Sequence, residues 1–200
     1  MDRVRRELGI DQLHDEGIHG KGVLIGIMDR GIDWRNRDFR NADGTTRIDS
    51  IWDATGGRVS LFTRSQIDEA LKNGSDLSTR DAVGHGTTTA GIAGGNGRNL
   101  NRYSGVAPKA TFVVAKITGG AETHDDQPAE ASFYDESHVI DAINYISTRA
   151  RELDMPCVML LNVGSIGGPT DASSTLARKI DATVGPGKKG LVFVTGPGDD

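Results

Sequence analysis

The chain carries a single cysteine, Cys157, so no intrachain disulfide can form. That cysteine lies in the apolar run CVMLLNV, the context of a packed core thiol and not of an exposed nucleophile. No uninterrupted apolar run approaches the ~18 residues that a membrane-spanning helix needs. Positive charge is not in surplus either: 23 Lys and Arg against 28 Asp and Glu leave a net charge of −5. Phosphate binding needs a basic face, so nucleic acid is not expected as the main partner. The one basic cluster, Arg3, Arg5 and Arg6 beside Glu7, reads as a solvated helix face. The charged first residues are followed by no apolar core, so no secretory signal is expected. That leaves a cytoplasmic protein, or a mature domain whose leader was removed. Internal repeats and low-complexity segments are missing as well.

What the chain does have is glycine, 27 residues in 200, and short apolar runs separated by helical patterns. Its length makes one domain over residues 1–200 the default. The runs VLIGIM (23–28), TFVVAKI (111–117), CVMLLNV (157–163) and LVFVT (191–195) read as strands buried on both faces. Helices are expected near 84–95, 135–152 and 171–183. In the second of these, Val139, Ile140, Ile143, Ile146 and Ala150 recur at helical spacing, and the pattern stops before Pro156. Strands alternating with helices imply right-handed crossovers and a mostly parallel sheet, an α/β doubly wound three-layer sandwich. Between residues 40 and 80 the pattern weakens to a short strand (47–52) and a helix capped by Thr63 with Gln66 three residues on. This stretch is expected to be an excursion from the sheet.

In open parallel sheets, ligands sit at the carboxyl ends of the strands. Those ends carry Asp29, residues 162–168 and residues 196–200. A carboxylate closing a buried strand is costly unless something holds its charge, and Asp29 needs a partner. The stretch GHGTTTAG offers one: His85 stands between two glycines at a helix mouth, where another backbone can approach closely. A carboxylate accepting from one ring nitrogen fixes the tautomer and leaves the other nitrogen as a general base.

With these residues in view, GKGVLIGIMDRGIDWRNRDF resembles the catalytic-aspartate segment of subtilisin-like serine proteases, and GHGTTTAGIAGGNG their catalytic-histidine segment. YSGVAPKATFVVAKI, LLNVGSIGG and LVFVTGPGDD are similar to three further family segments, in the family's order. The resemblance implies that Asp29 orients His85, and that His85 takes a proton from a serine hydroxyl in the reaction of a serine endopeptidase. It also implies that Ser165, Ile166, Gly167 and Gly168 hold an extended peptide substrate as an added strand. Asp199 then falls at the oxyanion position.

Departures from the pattern matter. No Gly-Thr-Ser-Met-Ala-type segment occurs, and Ser104, Ser132 and Ser165 stand in other contexts. The expectation is an amino-terminal two thirds of a catalytic domain, inactive alone, that needs the rest of the same domain as its partner. Asp199 replaces the usual asparagine, and an ionised carboxylate cannot donate to an oxyanion. Loss of that donor, measured in a subtilisin, costs on the order of 100- to 1000-fold in turnover. These departures support an alternative, a non-catalytic pseudoprotease that binds peptides. Arg30 and Thr88 replace a small residue and a second histidine without touching a triad role. Calcium is a family habit to which Asp38 corresponds, but the loop GGNGRNLNRY does not match the usual calcium loop, so no metal or other cofactor is assigned. A dinucleotide site at GIHGKG is rejected, because its glycines precede the strand instead of following it.

Overall fold

The computed structural model describes residues 2–118, 135–163, 169 and 171–196. Two short helices, α1 (Asp2–Glu7) and α2 (Ile10–Asp15), lead into β1 (Leu24–Asp29). A 3-10 turn (Arg37–Phe39), β2 (Ile48–Asp53), β3 (Ser60–Thr63) and α3 (Arg64–Asn73) follow. Then come α4 (His85–Gly94), β4 (Thr111–Lys116), α5 (Glu136–Glu152), β5 (Cys157–Leu161), α6 (Thr175–Thr183) and β6 (Leu191–Thr195). The strands form one sheet in the order β3-β2-β4-β1-β5-β6. Every neighbouring pair is parallel except β2 with β3. The mostly parallel α/β sandwich expected from the sequence is the fold that forms.

Alternation along the strands sends successive side chains to opposite layers. Leu24 and Met28 of β1 join Val113 and Ala115 of β4 in a core with Val139, Ala142, Ile143 and Ile146 of α5. Ile25 and Ile27 point the other way, to Phe112, Val114, Ala90 of α4 and Ile67 of α3. Each fully buried aliphatic side chain contributes about 1.5–3 kcal/mol, so these two layers hold the central strands rigidly. Gly26 lets α5 sit close: a Cβ there would lie 2.5 Å from Ile146 Cγ2. Cys157 is buried, and burial pushes its thiol up to about 12, the state of an inert core cysteine. The capping box expected at Thr63 and Gln66 is present at the start of α3.

Two expectations need correction. Residues 40–80 are not an excursion from the sheet, since β2 is inserted between β3 and β4 and buried along its whole length. Polar residues at Asp49, Ser50 and Asp53 hide this strand from a hydrophobicity reading. Each is satisfied inside: Asp49 pairs with Arg149 at 2.8 Å, Ser50 accepts from the Tyr145 hydroxyl at 2.7 Å, and Asp53 accepts from Thr79 at 2.6 Å. Nor is β6 buried on both faces. Val192 and Val194 are 53% and 44% exposed, on the layer that also contains α3 and α4. Smaller shifts occur at α6, which starts at Thr175 because Ser174 caps it, and at β5, which ends at Leu161.

Close packing at Gly26 gives a direct test. Gly26→Ala is expected to lower stability by about 1–3 kcal/mol, as overpacking does. In an Ile146→Ala background the same change should cost clearly less, because the clash partner is gone. Denaturant unfolding of the four chains measures the cycle, and strict additivity would contradict this packing.

Candidate active site

Asp29 is the last residue of β1, at the carboxyl end of a central strand, in register with Lys116 of β4. It is fully buried. His85 opens α4, whose amino terminus is aimed at that strand end. The two meet, with the imidazole Nδ1–H donating to Asp29 Oδ1 at 2.7 Å across 56 positions of sequence. The Arg30 backbone N–H donates to the same oxygen at 2.7 Å. The other oxygen, Oδ2, is buried with no hydrogen-bond partner among the described residues. The His85 side chain is 34% exposed, so solvent or a substrate can reach the imidazole while the carboxylate behind it stays dry.

The glycines around His85 have separate jobs. Gly84 is the N-cap residue with φ 89, a left-handed conformation that favours glycine. Gly86 sits against the loop after β1, where a Cβ would lie only 2.1 Å from Gly31 O and 3.2 Å from Asp29 Cβ. No larger residue can stand there while His85 stays in reach of Asp29.

Because glycine has no side chain, the N-cap position cannot satisfy the free N–H groups of α4 itself. Asp81 does so instead. Its Oδ1 accepts from the N–H groups of Gly84 at 2.8 Å and Val83 at 3.2 Å. Its Oδ2 accepts from the Thr87 N–H and the Thr87 hydroxyl, both at 2.8 Å. Thr87 Oγ1 in turn accepts from Asp33 N–H at 2.8 Å. One carboxylate therefore ties the start of α4 to the loop that follows Asp29. Sequence reasoning missed Asp81 and Thr87. Their signal is an acidic residue shortly before a glycine-capped helix, with a hydroxyl residue in its first turn.

Burial is the strongest influence on Asp29 and raises its pKa above the ordinary 3.8, against the lowering effects of the His85 hydrogen bond and the Arg30 N–H; the charge of Asp81 adds to the rise. Beyond the dyad, Asn162 follows β5 and donates from Nδ2 to Thr89 Oγ1 of α4 at 3.1 Å. Gly196, just past β6, is close to the same side chain, since a Cβ there would lie 3.0 Å from Asn162 Oδ1. The carboxyl ends of β1, β5 and β6 thus gather around α4. Of the residues expected in the site, Ser165, Ile166, Gly167, Gly168 and Asp199 lie outside the described residues.

An aspartate at a strand end, bonded to the Nδ1 of a histidine that opens the next helix, is an arrangement for proton abstraction. The Subtilase family model matches residues 20–200. The chain belongs to the subtilase family. It is 33% identical over 111 residues to the subtilisin-like protease PopC of Myxococcus xanthus, covering 56% of this chain and 19% of that protein. It is 26% identical over 180 residues to a subtilisin of a Bacillus species, covering 90% of this chain and 34% of that protein. The solved structure of the Clostridium perfringens CspB protease superposes with a TM-score of 0.78 at 27% identity, covering 92% of this subtilase and 38% of that chain. This chain therefore spans well under half the length of these relatives.

Two predictions follow from the geometry. Asp81→Ala should lower stability by about 1–2 kcal/mol, the cost of a lost helix cap. It should also speed amide exchange at Gly84 and Thr87 at least tenfold, with Asp81→Asn in between. Unchanged exchange at both amides would contradict the cap. Separately, the folded state binds a proton at Asp29 more readily than the unfolded chain does. Between 3.8 and the raised folded value, rising pH therefore erodes stability. Asp29→Asn should accordingly be as stable as the parent chain or more so at neutral pH, with the difference shrinking as pH falls towards 3.8. Thermal unfolding across pH reads this, and a variant clearly less stable at neutral pH would contradict it.

Proposed function

We propose that this chain is the amino-terminal part of the catalytic domain of a subtilisin-like serine endopeptidase. Asp29 orients His85 and stabilises its imidazolium. His85 removes the proton from a serine hydroxyl as that oxygen attacks the substrate carbonyl, and later returns it to the leaving amine. The serine belongs to sequence outside residues 1–200, and Ser165, Ile166, Gly167 and Gly168 hold the substrate as an extended strand. The observation that carries this reading is the 2.7 Å contact of a fully buried carboxylate with the Nδ1 of a solvent-reachable histidine.

A second feature supports the need for further sequence. Parallel sheets are normally covered on both faces. Here Val158 and Leu160 of β5 stand in register with Val192 and Val194 of β6, on the α3 and α4 side, and the two β6 valines are largely exposed. An apolar strip beside α4 is a fitting place for the segment that carries the nucleophile. The oxyanion position supports slower chemistry: with aspartate there, Asp199 is the first place to look for low turnover.

A chain extended by the carboxyl-terminal part of its reading frame should cleave peptide bonds. His85→Ala in that chain should abolish cleavage, a loss of at least about 10⁴-fold given the scale of triad substitutions. Cleavage that survives the change would rule out His85 as the base. An extended chain that binds peptide tightly but never cuts, with His85 intact, would instead identify a peptide-binding pseudoprotease.

A further inference from the structure

We propose that the groove between α1 and the loop at residues 96–104 is a binding site for an oxyanion, a carboxylate or phosphate group, and that this corner of the fold is braced by guanidinium groups instead of a divalent cation. The cavity measures about 470 Å³ and is lined by Arg5, Arg98 and Arg102, with Asn101, Tyr103 and Ser104 among the rest. Among the described residues, no acidic one lines it. Arg5 is paired with Asp11, so the charges that set the sign of what the space attracts are those of Arg98 and Arg102, with Asp43 acting on Arg98 from outside the lining.

The three arginines are not equivalent. Arg5 is already engaged, since it pairs with Asp11 at 2.6 Å and donates to the Ser104 carbonyl at 3.0 Å and to the Ser104 hydroxyl. It serves as a wall that fixes the loop to α1. Arg102 lies over the Tyr103 ring at 4.5 Å, a contact that orients the guanidinium without neutralising it. Neither Arg98 nor Arg102 forms an ion pair among the described residues. Asp43 acts on Arg98 only through its charge, without a hydrogen bond, so two planar forks beside a third that is held in place suit the oxygens of a carboxylate or phosphate.

The subtilase family raises calcium at this corner through Asp38, and the residues present do not fit it. Several oxygens around Asp38 that a hard cation would use are already taken by N–H donors. Arg47, buried, donates to the carbonyls of Asp38 at 2.5 Å, Gly94 at 2.6 Å and Ala110 at 2.8 Å. Asp38 Oδ1 accepts from Asn99 N–H at 2.6 Å. Nowhere among the described residues do three His, Cys, Asp or Glu side chains gather as a metal site. One guanidinium thus joins the end of α4 to the neighbouring strand and turn, where it also complements the negative end of the helix.

The test is titration of the 200-residue chain with inorganic phosphate, glutarate and calcium chloride at constant ionic strength, read by calorimetry and thermal unfolding. Saturable binding of phosphate or glutarate is expected, and which of the two binds more tightly assigns the natural group. The Arg98→Gln, Arg102→Gln double variant should bind about tenfold more weakly, the scale of a lost charge-assisted contact, with Arg98→Lys, Arg102→Lys between. Calcium and EDTA should leave the melting temperature unchanged. The proposal is overturned by no anion binding, by equal binding in the glutamine variant, or by saturable calcium stabilisation that EDTA reverses. Circular dichroism confirms that each variant is folded before it is titrated.

Discussion

A carboxylate at the carboxyl end of a buried strand is unfavourable unless a donor is brought to it. Asp29 meets that requirement through one contact, the Nδ1–H of His85, with help from the Arg30 backbone N–H. Everything near the site can be read as a means of holding that contact. α4 must begin at His85, so its free N–H groups need a cap that Gly84 cannot supply, and Asp81 supplies it. The helix must also come within backbone distance of the loop after β1, which only glycine at position 86 permits. Burial raises the Asp29 pKa above its ordinary value, and the charge of Asp81 adds to the rise.

The fold supplies the rigidity this contact needs. β1 lies between β4 and β5 in a parallel sheet, with α5 on one face and α3 and α4 on the other. All the strand ends that matter point the same way, as parallel topology requires, so loops that are distant in sequence converge at one edge. Asn162, after β5, reaches Thr89 of α4, and Gly196, after β6, lies against Asn162. The same sheet leaves the outer layer of β5 and β6 open at Val192 and Val194, in a chain whose relatives are considerably longer.

Much of this was legible in the sequence. The four apolar runs became β1, β4, β5 and β6, and the 3.6-residue spacing at Val139, Ile143 and Ile146 became the buried face of α5, because hydrophobic period and burial share one cause. The Asp29 and His85 pairing was legible because glycines flank the histidine for steric reasons. β2 was not legible as a sheet strand, since Asp49, Ser50 and Asp53 are buried through long-range partners such as Arg149, Tyr145 and Thr79. The exposure of β6 was hidden for the opposite reason: an apolar run looks the same whether or not anything covers it. Asp81 was passed over because a capping carboxylate three residues ahead of the cap has no strong local pattern.

The contact of Asp29 with the His85 Nδ1–H holds the ring with its second nitrogen facing away, free to accept a proton. Nitrogen NMR of the His85 ring in its neutral form tests this most directly. The expected result is the Nδ1–H tautomer, an unprotonated Nε2, and a strongly deshielded Nδ1 proton that shifts upfield in Asp29→Ala. A ring found in the Nε2–H tautomer, or one whose spectrum ignores the loss of Asp29, would contradict it.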